Sequence, residues 1–100
     1  MTNRPIVDTA ILIGWSPDGH CVYSAAIPLG EYRAGAHAWD NPEGARKLRL
    51  EKLRGFLFDA DGALIEEFEN NFDAGTGRMK GGWTRHEDGT FQRHDANQGV

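Results

Sequence analysis

Two stretches of the chain carry the hydrophobic pattern of β-strands, and a turn of the same chemistry breaks each of them. Residues 7–28 read as a β-hairpin: Val7 to Trp15 is apolar and rich in β-branched side chains, and Ser16-Pro17-Asp18-Gly19 follows. Ser suits the first position of a type I turn, Pro presets φ at the second, and Gly accepts the positive φ at its close. A turn of this kind gives a three-residue hairpin loop with a bulge at the glycine. The register it predicts pairs Ser16 with His20, Trp15 with Cys21, Ile13 with Tyr23 and Ile11 with Ala25. Ile11, Ile13, Trp15, Cys21, Tyr23, Ala25 and Ile27 then share an apolar face expected to pack on the core, since a one-residue slip would mix it with His20 and Ser24.

Residues 54–70 repeat the device around Asp59-Ala60-Asp61-Gly62, with Phe58 paired to Leu64 and Leu57 to Ile65. Phe56, Phe58, Leu64 and Phe68 are expected on one face. Between the hairpins, residues 29–41 read as a loop punctuated by Gly30 and Gly35, carrying Tyr32, His37 and Trp39. Asn41-Pro42 suits a helix N-cap and first turn, Glu43 and Lys47 a helical pair, and Gly55 a stop, which predicts a helix over residues 42–53. Leu48 and Leu50 alternate with charged neighbours, so a strand over part of that range stays open. From Gly75 the chain is glycine-rich, and Trp83 to Arg93 predicts a third, mostly polar hairpin around Asp88-Gly89. The expected fold is β-rich α+β: two antiparallel hairpins, one short helix and a Gly-rich C-terminal segment. Residues 1–95 form one small domain, and 96–100 a frayed tail.

A chain of 100 residues buries one modest core. Hydrophobic residues are 39% and charged residues 26%, the balance of a globular domain rather than a disordered chain. The net charge of −4 argues against sequence-independent nucleic-acid binding, which needs a basic surface. Cys21 is the only cysteine, so no internal disulfide forms. Its place on the apolar face suits a small buried hydrophobe. No apolar window has the length of a membrane span, and Ile11-Leu12-Ile13 is too short for a secretion signal. The expected compartment is the cytoplasm, of a host or of an infected cell.

Gly55-Phe56-Leu57-Phe58-Asp59-Ala60-Asp61-Gly62-Ala63-Leu64 resembles the first motif of the haloacid dehalogenase-like phosphatases. The resemblance implies Asp59 as nucleophile and Asp61 as acid/base, and hence a small metal-dependent hydrolase. It spans about ten residues, Ala63 stands where that family has threonine, and only 39 residues follow Asp61. The doubly wound sheet of that family needs several βαβ units, which this length does not hold. A hairpin turn with two solvated aspartates is therefore the preferred reading, and no catalytic residue is assigned. Asp59, Asp61, Glu66 and Glu67 lack the ligand spacing of a calcium loop. His20, His37, His86 and His94 fit no zinc pattern, and no metal or cofactor is expected.

Arg46, Lys47, Arg49, Lys52 and Arg54 are followed by the acids Asp59, Asp61, Glu66, Glu67, Glu69 and Asp73. Two neighbouring elements that attract each other account for this, and a bipolar surface that orients a partner is the sharper reading. Arg78 to Arg85 has the cations, glycines and aromatic of a binding arm. The function these features favour is a non-enzymatic protein-binding domain: an inhibitor, accessory subunit or structural component of a larger assembly. The compact acidic format also suits a phage- or mobile-element-encoded inhibitor, on format alone. The partner would meet Trp39, Arg46, Arg49, Arg78, Lys80, Trp83 and Arg85. The alternative is a nucleic-acid-binding accessory protein using the basic segments 46–54 and 78–85.

Overall fold

The computed structural model describes residues 6–95. Six antiparallel strands form a single sheet: β1 (Thr9–Trp15), β2 (Cys21–Pro28), β3 (Lys52–Phe58), β4 (Leu64–Phe72), β5 (Met79–His86) and β6 (Phe91–Asp95). Their order across the sheet is β2-β1-β3-β4-β5-β6. The helices α1 (Leu29–Ala34) and α2 (Pro42–Leu48) lie in the connection between β2 and β3. The fold is β-rich α+β, as the pattern predicts. It differs from the expected plan in having two helices and in joining the C-terminal strands to the same sheet. The tail expected at 96–100 lies outside the described residues.

Three hairpin turns use one hydrogen-bond scheme. Gly19, Gly62 and Gly89 have φ of 83°, 82° and 89°. Each donates its N–H to the carbonyl three residues back, on Ser16, Asp59 and His86. The N–H groups of Ser16, Asp59 and His86 donate in turn to His20, Ala63 and Thr90. Glycine is favoured at these positions because other residues take positive φ at a cost.

Beyond the turns the expected registers shift. Trp15 pairs with Cys21 as predicted, but Gly14 pairs with Tyr23, which leaves Val22 as an extra residue. Phe58 pairs with Leu64, but Leu57 pairs with Glu66, which leaves Ile65 extra in the same way. Ile11 therefore meets Ala26 and Ile13 meets Ser24. Each bulge turns one strand's side chains over relative to its partner's. Phe68 consequently sits opposite Gly55, on the face away from Phe56 and Phe58.

The buried face is also not the expected one. Ala10 and Leu12 of β1 and Leu53 and Leu57 of β3 are buried, together with Phe68 and Phe72 of β4. Small residues on this face make room for the layer above it. A Cβ on Gly14 would collide with Leu50, and one on Gly55 with the Phe68 ring. Cys21, expected in the core, is exposed.

Residues 29–41 form α1 and an aromatic lid rather than an open loop. Leu29, Tyr32 and Trp39 pack on the core. His37 stacks on Tyr32 at 4.8 Å and on Trp39 at 5.1 Å, and both Tyr32 and Trp39 approach Phe68 at 6.4 Å. Burial pushes the Tyr32 phenol up to about 12, with the Glu66 charge adding to the effect. Asn41 caps α2 as predicted, its side chain accepting the Gly44 N–H at 2.8 Å. The helix ends at Leu48, seven residues before Gly55, because Arg49 takes the left-handed conformation at φ 58°. Its N–H bonds back to Ala45 and Arg46, and β3 begins at Lys52.

Candidate functional site

The second face of the sheet carries the larger apolar side chains of β1 and β3. Ile11 pairs with Phe56, Thr9 with Phe58, and Trp15 with Lys52, so these residues share one face with Ile13 and Arg54. Ile11, Ile13, Trp15, Phe56 and Phe58 are half-buried and lie outside the core cluster that α1 and α2 cover. Among the described residues no helix packs on them. A shallow groove runs along Ile11, Ile13, Ser24 and Ala26.

Across β4, β5 and β6 the same face becomes charged and aromatic. Glu67 pairs with Arg85, Glu69 with Trp83, and Trp83 with Arg93. The Glu67 side chain is only 8% exposed because two guanidinium groups flank it. Arg54 Nη2 lies 3.6 Å from its Oε2, and Arg85 contacts its Oε1 from the other side. Arg54 also reaches Glu69 at 3.8 Å, while its Nε has no hydrogen-bond acceptor. The Arg54 guanidinium sits 5.3 Å from the Phe56 ring centroid and 5.5 Å from that of Trp83. Arg85 sits 5.7 Å from Trp83, and Trp83 stacks on Phe91 at 5.8 Å. Each cation–π contact of this kind is worth about 0.5–1 kcal/mol at an exposed site. Together they join Phe56, Arg54, Trp83, Arg85 and Phe91 into one contiguous row. Phe91 is 52% exposed at the end of this row.

Two further depressions border the face. One crosses β5 at Gly81 and Gly82 and is lined by Asn71, Lys80, Trp83, Arg93 and His94. The other lies beside the first turn, between Trp15, Pro17, Lys52, Arg54 and Glu69.

The residues expected to meet a partner do not form one patch. Trp83 and Arg85 lie on the open face, and Lys80 is exposed beside it. Arg46 and Arg49 are exposed at the end of α2, and Arg78 is exposed in the β4–β5 connection. Trp39 is half-buried in the lid over Phe68, with its Nε1 unpartnered, so it serves the core rather than an open surface. The segment expected to be a flexible arm, Arg78 to Arg85, is mostly an inner strand held between β4 and β6. Ile11, Ile13, Phe56, Glu67, Phe91 and Arg93 were absent from the expected site. Apolar residues on both faces of β1 were the available signal.

The Asp59 motif forms a turn. Its Oδ1 accepts the N–H groups of Asp61 and Ala63, each at 2.9 Å. A carboxylate oxygen holding two backbone donors is a turn clasp. Among the described residues, no group of three or more His, Cys, Asp or Glu is placed to hold a metal ion. No helix there is long and apolar enough to cross a membrane.

Comparison with protein-family models, curated proteins and solved structures found no match to this chain.

Proposed function

We propose that this chain is a non-enzymatic protein-binding domain that docks through the open face of its sheet. It would act as an inhibitor, accessory subunit or structural component of a larger assembly, in the cytoplasm of a host or infected cell. One observation carries the reading. The bulky apolar residues of β1 and β3, Ile11, Ile13, Trp15, Phe56 and Phe58, lie on the face that α1 and α2 leave open, although the leucines and phenylalanines of the opposite face already form the core. An apolar block beside stacked Trp and Arg side chains has the make-up of an interface centre and its rim. The test is binding of a partner isolated with the wild-type chain. Phe56→Glu should abolish it, and Glu43→Lys on α2 should leave it unchanged.

The arrangement of Trp83 between Arg54 and Arg85, stacked on Phe91, favours nucleic acid as a second reading, since bases stack on such platforms. A steep loss of affinity for an oligonucleotide with added salt would support it. The aliphatic block of Ile11 and Ile13 offers a nucleic acid no counterpart, which favours the protein reading.

A further inference from the structure

The open face and the chain as a whole carry opposite charge. Lys52, Arg54, Arg85 and Arg93 lie on this face with Lys80 beside it, against Glu67, Glu69 and, opposite Gly81 at the end of β6, Asp95, whereas the chain has a net charge of −4. The Glu67 and Glu69 carboxylates are already matched by Arg54 and Arg85. Lys52 stands at one border of the face, beside Trp15, Arg54 and the exposed Glu51. Arg93 stands at the other, with Lys80 and Trp83 around the glycine depression of β5. The cations not engaged with Glu67 or Glu69 thus bracket the apolar block and the aromatic row.

We infer that the occupant of this face is an acidic, amphipathic segment of a partner protein. The inference rests on the protein-binding reading and adds the chemistry of the partner. Apolar side chains of the segment cover Ile11, Ile13 and Phe56, and its carboxylates meet Lys52 at one border and Arg93 with Lys80 at the other. The make-up of the face decides against the other occupants. A second copy would bring the same excess of cations against this one. A nucleic acid would leave the aliphatic block of Ile11 and Ile13 without a counterpart. An acidic segment satisfies both halves of the face, and opposite charge speeds its encounter and fixes its register.

The experiment is selection of random twelve-residue peptides displayed on phage against the wild-type chain. The best peptide is then measured by fluorescence anisotropy. Lys52 and Arg93 are exposed, so Lys52→Glu with Arg93→Glu leaves the core intact, and circular dichroism verifies the fold. Selected peptides should be net acidic with interspersed apolar residues. The double reversal should weaken the best peptide about tenfold, and Phe56→Glu should remove its binding. Enrichment of neutral or basic peptides, no enrichment, or affinity indifferent to the double reversal would overturn the inference. So would tighter binding of oligo(dT), or self-association through this face in sedimentation. A native partner lost with Phe56→Glu but unaffected by the double reversal would refute the acidic partner and leave the protein-binding reading standing. A native partner unaffected by Phe56→Glu would remove both.

Discussion

Gly55 of β3 and Phe68 of β4 face each other across the sheet, and the Phe68 ring occupies the space that a Cβ on Gly55 would need. The pair joins the sheet to the aromatic lid, because Tyr32 and Trp39 both approach the same ring. Gly55→Ala should therefore destabilise the fold by about 1–3 kcal/mol, the usual cost of overpacking a core. Phe68→Leu in the same chain should recover part of that loss, by shrinking the group in the way. Urea unfolding of the two single variants and the double variant measures the coupling.

The assignment of faces predicts a contrast between neighbours in sequence. Leu12 and Leu57 are fully buried, whereas Ile13 and Phe56 are on the open face. Leu12→Ala and Leu57→Ala should each cost about 2–5 kcal/mol. Ile13→Lys and Phe56→Lys should leave a folded chain. Thermal melts of the four variants check this, and unfolding by the lysine variants with tolerance of the alanine variants would reverse the faces.

The turns contribute to the acid limb of stability. The Ser16 hydroxyl, followed by backbone donation, holds the Asp18 carboxyl below its usual range, and the Thr90 hydroxyl and N–H do the same for Asp88. A depressed pKa in the folded state stabilises it above the ordinary carboxylate pKa. That contribution disappears as pH falls through the depressed value. Melting temperature should decline as pH drops below about 4, the ordinary range for Asp, and Asp18→Asn with Asp88→Asn should flatten the decline. An unchanged acid limb would exclude the two turns as contributors.

Arg49 occupies a position made for glycine. Its φ of 58° ends α2 in the left-handed region, where a Cβ is strained. Arg49→Gly should stabilise the chain by about 0.5–1 kcal/mol despite the greater freedom of glycine when unfolded. A loss of stability would mean that the Arg49 side chain contributes contacts of its own. Chemical denaturation resolves the sign.

The turns were legible in the sequence because each carries its own local chemistry. Asn41-Pro42 marked the start of α2 for the same reason. What was not legible lay one residue beyond the turns. The bulges at Val22 and Ile65 leave no mark in residue type, yet each reverses the side chains of a strand relative to its partner. In β1 the alternation could not decide either, since Ala10 and Leu12 on one face and Ile11 and Ile13 on the other are all apolar. Choosing the bulkier set for the core placed the candidate docking surface inside the molecule. It likewise put Trp39, a lid over Phe68, on the outside. The end of α2 was misplaced because an arginine, not a glycine, takes the left-handed turn.

The open face is tested most directly by placing a photo-crosslinking benzoylphenylalanine at single positions and irradiating the chain in cells of its native host. At Phe56, on the open face, the probe should give a discrete adduct with a partner protein. At Glu43, on the exposed side of α2, it should not. An adduct to the same partner from Glu43 and none from Phe56 would contradict the account.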